Sequence, residues 1–489
     1  MAHPLLYEVN TRCWLRELSD RCGTPLNLGT VPDSELAAWA DYGFTHVWLM
    51  GVWTTGERAR REALTSASLR EETRQLLPDW RETDLGGSPY AIAGYSVSEA
   101  LGGDRALEVF RARLHNRGLK LVLDFVPNHL GLDHPWVVQH PELFVSSPIQ
   151  MPGTFAADGP GGRRWLAHGR DPYFPPWTDT VQLDYRHGET RLRMIEQLRT
   201  VAERCDGVRC DMAMLILDDV FRRTWAHLPP SGEAAEGEFW KDAIAGIRRS
   251  HGDFLFLAEA YWGLESALLL LGFDHAYDKS LYDLLVAGDA AAVRRHLSTQ
   301  PWDRVCAGAH FLENHDEPRI ASRLALPAHR AAAWLVLALP GLRLLHDGQL
   351  IGARRRIPVQ LVRRPAEPPD PAVSALYREI LSLLPRTAVG RGVPALLKPV
   401  ERRGGARPAP GVVLIQWELR PGEGDWVAIN GATDSAEVSL PLDPAMFGPG
   451  ARFTDLLGAP APPHRTESGL RFELSGHEVR VIRFAACQD

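Results

Sequence analysis

Over the first 350 residues, short apolar runs alternate with longer amphipathic segments. Residues 120–126 are apolar after the first lysine, apart from one aspartate, as in a strand covered on both faces of a sheet. Residues 104–117 repeat apolar positions at helical spacing and precede a glycine, which predicts a helix. This alternation indicates β-α-β units and a parallel sheet. The predicted strands are 5–9, 45–50, 120–126, 207–211, 254–259, 273–277, 309–313 and 342–345.

Two segments depart from this pattern. Residues 128–185 are rich in proline, glycine, tryptophan and histidine and lack a long helical period, which is typical of a functional excursion. After about residue 386 the hydrophobic period changes to two, which predicts antiparallel strands. We therefore predict an α/β fold: a (β/α)8 TIM barrel formed by 1–127 and 186–388, a loop-rich insertion after the third strand at 128–185, and a C-terminal antiparallel β-sandwich at 389–489.

Composition narrows the class of protein. The 489 residues are 45% hydrophobic and 24% charged, which excludes wholesale disorder. The net charge of −7 argues against binding to nucleic acid or to an anionic membrane surface. Pro340 and Gly341 interrupt the longest apolar run, so no membrane span is expected. The six cysteines form no CxxC pair and the N-terminus lacks a signal-peptide pattern, so we expect a cytoplasmic protein with reduced thiols.

Carboxylates stand at or just beyond the ends of four predicted strands. They are Asp124, Asp211, Glu259 and Asp316. The C-terminal ends of barrel strands meet on one face, so these side chains should converge. Crowded carboxylates shift each other's pKa values, which lets one act as an acid while another stays ionised.

Such a pair suits glycoside hydrolysis with retention of configuration. That reaction needs a nucleophilic carboxylate about 5–5.5 Å from a carboxylic acid that protonates the leaving oxygen. Asp211 and Glu259, on adjacent strands, are the natural candidates. The residues themselves do not identify the sugar.

The same residues carry a family resemblance. Residues 124–129 (Asp-Phe-Val-Pro-Asn-His) resemble a DxxxNH motif, and 207–211 (Gly-Val-Arg-Cys-Asp) resemble GxRxD. Glu259 at a strand end resembles a third motif, and 313–316 (Glu-Asn-His-Asp) resemble a fourth, NHD. In order and spacing the chain resembles the α-amylase family of glycoside hydrolases and transglycosylases. The resemblance implies a barrel, a loop domain and a C-terminal sandwich.

The resemblance also implies catalytic roles. Asp211 would be the nucleophile that forms a covalent glycosyl-enzyme, and Glu259 would be the general acid/base. Asp316 would bind the hydroxyls next to the reacting carbon and favour a distorted sugar ring.

Further residues would bind substrate. Arg209 would keep Asp211 ionised and oriented, while His129 and His315 would donate hydrogen bonds to sugar hydroxyls. Tyr95 would stack on the sugar at the cleavage point, with Tyr90 as a second candidate. Asp124 would support the site rather than react.

The sequence departs from the family pattern at several positions. Residues 212–215 (Met-Ala-Met-Leu) replace a Lys-His pair, which argues against an ordinary endo-amylase or for a changed acceptor side. Ile92 stands where many exo-acting α-glucosidases have an aspartate. We expect no cofactor and no metal, although Asn128 matches a calcium ligand of calcium-dependent members. Arg319 and the run 354–356 are candidate contacts for an anionic group on the substrate.

Three functions follow as hypotheses. The first is a retaining hydrolase of short α-1,4-linked glucooligosaccharides, with an α-glucan or maltooligosaccharide as its partner. The second is a transglycosylase of the glucanotransferase or maltosyltransferase type that uses the same intermediate. The third is an inactive carbohydrate-binding relative, which predicts loss of a catalytic carboxylate, and none is lost here. The sequence does not determine the oligomeric state.

Overall fold

A closed barrel of eight parallel strands forms the centre of the molecule. The computed structural model describes residues 3–159, 162–230, 232–398, 410–440, 442–444, 446–448, 450–459, 463–466 and 469–486. The barrel strands are β1 (Leu5–Asn10), β2 (His46–Met50), β3 (Lys120–Phe125), β4 (Gly207–Cys210), β5 (Leu255–Ala258), β6 (His275–Tyr277), β7 (Gly308–Phe311) and β8 (Leu342–His346). Each strand pairs with its neighbour in chain order, and β8 closes on β1. The predicted (β/α)8 fold is confirmed.

The barrel interior is filled by alternate side chains of the strands, among them Leu6, Trp48, Val122, Leu257 and Leu344. The other strand faces pack against the surrounding helices in a second, larger apolar cluster. Burial on both faces explains why these strands are nearly continuous apolar runs.

The helices lie between the strands and cover the barrel. Their bounds are Thr11–Cys22, Asp33–Asp41, Glu57–Thr65, Ala67–Leu76, Gly103–His115, Trp136–Gln139, Gly188–Ala202, Asp218–Thr224, Phe239–Arg248, Glu265–Leu270, Lys279–Ala287, Ala290–Thr299, Trp302–Cys306, Leu326–Ala338 and Pro371–Leu383. In the part of the chain that the structure describes, none of them has the length and apolar character to cross a bilayer.

The segment after β3 is loop-rich, as predicted. Its first strand, His129–Gly131, pairs with Thr180–Gln182, and a hairpin joins Thr154–Gly159 to Gly162–Ala167, flanked by Ser146–Ser147. Its one α-helix within the described residues has four residues. The segment lies at the C-terminal ends of the barrel strands, because it leaves the end of β3 and ends at the start of the helix Gly188–Ala202, which runs back towards the start of β4.

The C-terminal region consists of two antiparallel sheets. One has the spatial order Val393–Leu397, Val412–Arg420, Glu423–Asn430, Val479–Ala485 and Arg452–Asp455, and the other has the order Ala436–Leu440, Gly469–Leu474 and His464–Thr466. Alternate residues of the central strands serve two cores. Leu414 and Trp426 face the three-stranded sheet, whereas Ile415 and Trp417 belong to the core shared with the barrel helices.

Candidate active site

The strand register brings two of the predicted carboxylates side by side. Cys210, the last residue of β4, pairs with Ala258, the last residue of β5. Asp211 and Glu259 are the next residues, so they leave neighbouring strands at the same height. Both side chains are almost fully buried.

Arg209 holds these two carboxylates together. Its Nη1 donates a hydrogen bond of 2.7 Å to Asp211 Oδ1, and its Nη2 lies 2.7 Å from Glu259 Oε2. The guanidinium is 1% exposed and lies 5.2 Å from the ring centres of both Trp48 and Tyr90. A buried, planar cation with two forked donors fixes both acids in one geometry. The sequence predicted the contact with Asp211 but not the bridge to Glu259.

The carboxyl group of Glu259 has a pKa well above its usual value. Burial is the main cause that raises its pKa, Arg209 opposes it, and the charges of Asp211 and Asp316 raise it further, to about 7. Its Oε1 accepts a hydrogen bond of 2.9 Å from the Tyr261 hydroxyl, and its Oε2 accepts one of 2.6 Å from the Met212 amide. A carboxylic acid in this state can donate a proton.

The pKa of Asp211 is subject to opposing effects. Burial raises its pKa, whereas the charge and hydrogen bond of Arg209 lower it, and the net direction is upward. Because the two acids repel each other when both are ionised, the pair shares protons. Arg209 Nη1 and Nη2 each lie 2.7 Å from one of the two acids, so the guanidinium favours the ionised form of both.

Asp316 faces the open cleft, with 46% of its side chain exposed. Loss of water acts to raise its pKa, but the charge and hydrogen bond of His315 outweigh this and hold the pKa below its usual value. His315 Nε2 lies 3.0 Å from Asp316 Oδ2. Asp316 is therefore ionised next to the buried pair, and its charge contributes to the raised pKa of Glu259.

A carboxylate that the sequence analysis missed lies behind His315. Glu8, on β1, is fully buried, with Oε1 2.5 Å from His315 Nδ1 and Oε2 3.2 Å from His346 Nδ1. Burial lowers the pKa of His315, but Asp316 and Glu8 reverse this and raise it well above its usual value. The imidazolium of His315 thus lies between two carboxylates. A charged residue inside an otherwise apolar strand was the available signal for Glu8.

Replacing Glu8 by glutamine is expected to destabilise the protein by about 3–5 kcal/mol, because a buried imidazolium loses its counter-charge. Chemical unfolding measures this. Burial acts to raise the pKa of Glu8, but the charges and hydrogen bonds of His346 and His315 outweigh it and hold the pKa below its usual value. The contribution of Glu8 to stability is therefore complete above about pH 4.3 and declines as the pH falls further. The deficit of Glu8→Gln should therefore shrink in acid.

The exposed Glu108 provides the matched control. Glu108→Gln should unfold at the same denaturant concentration as the unmodified chain. Equal stability of Glu8→Gln and the unmodified chain at pH 7 would contradict the assignment.

Asp124 lies on the neighbouring strand β3, close to the acid pair. Its carboxylate accepts hydrogen bonds from Trp48 Nε1 (3.1 Å) and from the Gly51 amide (2.8 Å), and Arg209 Nη1 is 4.0 Å away. Burial raises its pKa to about 6, against the opposing charge of Arg209. Its oxygens therefore face protein donors.

The structure does not support the prediction that Tyr95 stacks on the sugar. Tyr95 is 6% exposed, and its hydroxyl exchanges 3.0 Å hydrogen bonds with the backbone of Val126 while its ring stacks on Phe125. These contacts make it part of the core rather than a platform for sugar. Tyr90 lies at the cluster instead, with its hydroxyl 2.8 Å from His315 Nε2.

His129 and His315, the predicted donors to sugar hydroxyls, both contact protein groups through their rings. Both ring nitrogens of His315 already contact protein groups, so a sugar hydroxyl would share them with Asp316 or Tyr90. His129 is buried and packs against Trp177, with ring centres 5.0 Å apart. Burial lowers its pKa to about 3, so it is neutral. It touches the backbone of Tyr90 and reaches the cluster through that residue.

The surroundings of Asn128 do not fit calcium. Its Oδ1 accepts a 3.0 Å hydrogen bond from Gln182 Nε2, so the oxygen that would bind a metal faces a neutral amide donor. Calcium takes six to eight oxygen ligands, with carboxylates prominent among them. Among the described residues, no group of three or more His, Cys, Asp or Glu side chains is placed to hold a metal ion.

Arg319 is also committed within the protein. It is buried and its Nη1 donates to Glu313 Oε1 (2.8 Å) and to the backbone of Asp347 (2.7 Å). This buried pair explains a cation directly after the fourth motif. Arg319 is therefore not available to bind an anionic group on a substrate, contrary to the expectation from the sequence.

Comparison with known proteins agrees with this geometry. Residues 41–360 match the family model described as the catalytic domain of α-amylase. A buried acid pair at the C-terminal ends of β4 and β5, with this match over most of the chain, shows that the protein belongs to the α-amylase family.

Individual relatives are distant. The chain is 26% identical over 268 residues to an α-amylase of Haloarcula japonica, covering 54% of this chain and 36% of that protein. It is 26% identical over 283 residues to an α-1,4-glucan:maltose-1-phosphate maltosyltransferase of Arcanobacterium haemolyticum, covering 52% and 34%. The chain thus spans about a third of the length of these relatives. A maltogenic α-amylase of Thermotoga neapolitana shares the fold, with a TM-score of 0.70, 19% identity and 99% coverage of both chains.

Proposed function

We propose that the protein is a retaining glycoside hydrolase that acts on α-1,4-linked glucooligosaccharides through a covalent glycosyl-enzyme intermediate. The observation that carries this is the Asp211–Arg209–Glu259 bridge, in which one buried guanidinium holds the carboxyl groups of two neighbouring strand ends together. Relatives named as α-amylase and as maltosyltransferase support α-glucans as the substrate class.

Each acid has a defined part in the reaction. Asp211 attacks the anomeric carbon and forms an ester, while the bond to the leaving oxygen breaks and Glu259 gives that oxygen its proton. Glu259, now ionised, takes a proton from water as the water attacks the same carbon and releases Asp211. Asp316 holds neighbouring hydroxyls. Two inversions at one carbon retain the configuration.

The test is a time course with maltooligosaccharides, in which NMR identifies the first-formed anomer. We expect new reducing ends in the α-configuration. Products that first appear as β-anomers, or no release at all, would contradict the proposal.

Transfer to a second sugar is the other candidate. The segment after Asp211, Ala213–Ile216, is wholly buried and apolar, so it offers no charged contact to a leaving or accepting sugar. Other loops must then bind any acceptor, and that acceptor need not be water. Redistribution of chain lengths without net new reducing ends would favour transfer. Binding of oligosaccharides without any turnover would favour the inactive relative.

The pH dependence of kcat/KM follows from the two acids. On the alkaline side the rate should fall about tenfold per pH unit above about pH 7, because Glu259 loses the proton that it must donate. Tyr261→Phe removes a donor that stabilises the ionised form of Glu259, so the alkaline limb should move to higher pH. Tyr42→Phe, outside the site, is the control. An unshifted limb in Tyr261→Phe would contradict the role given to Glu259.

A reducing compartment is proposed as the place of action. Cys13, Cys22, Cys205, Cys210 and Cys306 are free thiols, and the sixth cysteine, Cys487, lies outside the described residues. Such thiols are typical of cytoplasmic proteins. Fractionation of cells that produce the protein tests this.

A further inference from the structure

An open pocket of about 480 Å³ lies beside the proposed acid/base. It is lined by Arg170 and Tyr173 of the insertion, Arg223 and Thr224 of the helix Asp218–Thr224, and Trp262 of the loop after β5. Trp262 follows Tyr261, whose hydroxyl contacts Glu259. The loops after β4 and β5 therefore contribute both the acid pair and this pocket.

The pocket exposes two large aromatic rings. Tyr173 is 69% exposed and Trp262 is 42% exposed, and their ring centres are 4.8 Å apart at a near-perpendicular angle. Trp262 has φ of +62°, a left-handed conformation that costs a bulky residue about 1–3 kcal/mol. Exposed apolar rings held at such a cost indicate a binding surface. Flat rings of this kind suit the apolar face of a sugar.

The pocket also holds two cations that lack carboxylate partners. Arg170 Nε donates to the Asp171 carbonyl (3.2 Å) and Arg223 Nε to the Asp219 carbonyl (3.0 Å). Among the described residues neither guanidinium has a carboxylate oxygen within ion-pair distance, and no acidic side chain lines the pocket. The carboxylate of Asp171 turns inward and accepts hydrogen bonds from the Tyr173 and Phe174 amides.

In a second cavity lined by arginines, the arginines are paired with carboxylates. The pocket of about 410 Å³ near β8 contains Arg363 and Arg364, and both are neutralised. Arg363 pairs with Asp84, and Arg364 pairs with Asp347 and Glu17. Of these two cavities, only the pocket at Trp262 has, among the described residues, both exposed rings and guanidiniums without a carboxylate partner. Guanidinium forks match the oxygens of a phosphate group.

We propose that this pocket binds a phosphorylated sugar on the leaving-group side of Glu259. The rings of Tyr173 and Trp262 would contact the sugar, and Arg170 and Arg223 would bind its phosphate. The inference rests on the proposed function, because it uses the same glycosyl-enzyme, and it belongs to the transfer candidate, in which a sugar hydroxyl replaces water as the acceptor. An acceptor hydroxyl would attack the anomeric carbon, Glu259 would take its proton, and the ester to Asp211 would break.

Direct binding tests this without turnover. Titration calorimetry with glucose 6-phosphate, glucose and inorganic phosphate should show glucose 6-phosphate binding at least about tenfold more tightly than either fragment. Its affinity should fall with added salt, since both contacts to phosphate are ionic. The double variant Arg170→Gln/Arg223→Gln should lose this advantage, whereas Arg249→Gln, at an exposed arginine outside the pocket, should keep it.

Equal affinity for glucose and glucose 6-phosphate, or unchanged affinity in the double variant, would overturn the proposal. Trp262→Ala gives a second readout, because it should weaken binding of both sugars but not of inorganic phosphate. Thermal midpoints equal to that of the unmodified chain show that the surface variants fold. Turnover of maltooligosaccharides is measured separately, so its failure would count against the proposed function and not against this pocket.

Discussion

Asp211→Asn is expected to lower the turnover of maltooligosaccharides by about 10⁴-fold or more, because an amide cannot form the glycosyl ester. The side chain keeps its shape and can still accept a hydrogen bond from Arg209. Binding of oligosaccharides should therefore persist. Steady-state kinetics and calorimetry on the same preparation measure both quantities.

The matched control is Asp253→Asn, at an exposed aspartate before β5 and so at the opposite end of the barrel from Glu259. It should keep full activity. A turnover in Asp211→Asn within tenfold of the unmodified enzyme would exclude Asp211 as the nucleophile. A fall in both activity and thermal midpoint would instead indicate a folding defect.

Arg209→Leu is expected to destabilise the protein by about 3–5 kcal/mol and to abolish detectable activity. The substitution leaves Asp211 and Glu259 buried without their shared cation. The pKa values of both acids should rise, so their burial costs less when they are protonated. The loss of stability should accordingly be larger at pH 8 than at pH 5, which chemical unfolding at the two pH values measures.

Arg209→Lys separates charge from geometry. A single ammonium restores the charge but not the two forked donors, so stability should partly recover while activity stays low. Arg249→Leu, at an exposed position, is the control for loss of an arginine. A fully active Arg209→Lys would show that the forked bridge is not required.

The barrel could be predicted because its strands are buried on both faces and so read as apolar runs. Three C-terminal strands carry no such signal in the sequence, for the opposite reason. Arg452–Asp455 and His464–Thr466 have no buried side chain, and Val393–Leu397 contains a proline and one largely exposed valine. They pair through their backbones at sheet edges, and backbone pairing leaves no hydrophobic period in the sequence.

The acids of the site could be predicted because their motifs follow strand ends. Their partners could not be predicted, since the contacts join distant parts of the chain. Glu8 and His315 are 307 residues apart. Tyr90 and Tyr95 are both aromatic residues between β2 and β3, and only the contact of Tyr95 with Val126, 31 residues later, distinguishes them. Which of two similar residues reaches the site is therefore determined by tertiary packing and not by the local sequence.

The C-terminal five-stranded sheet is buried on both faces, and this affects where the chain can be truncated. Trp417 packs towards the helix Leu326–Ala338, nine of whose 13 residues are buried, and donates a 2.8 Å hydrogen bond to the Ala338 carbonyl. A fragment truncated near residue 388 would turn that helix into a solvent-facing apolar stripe and promote aggregation. We therefore expect the barrel and the C-terminal sheets to unfold in one transition, which thermal unfolding of the whole chain measures.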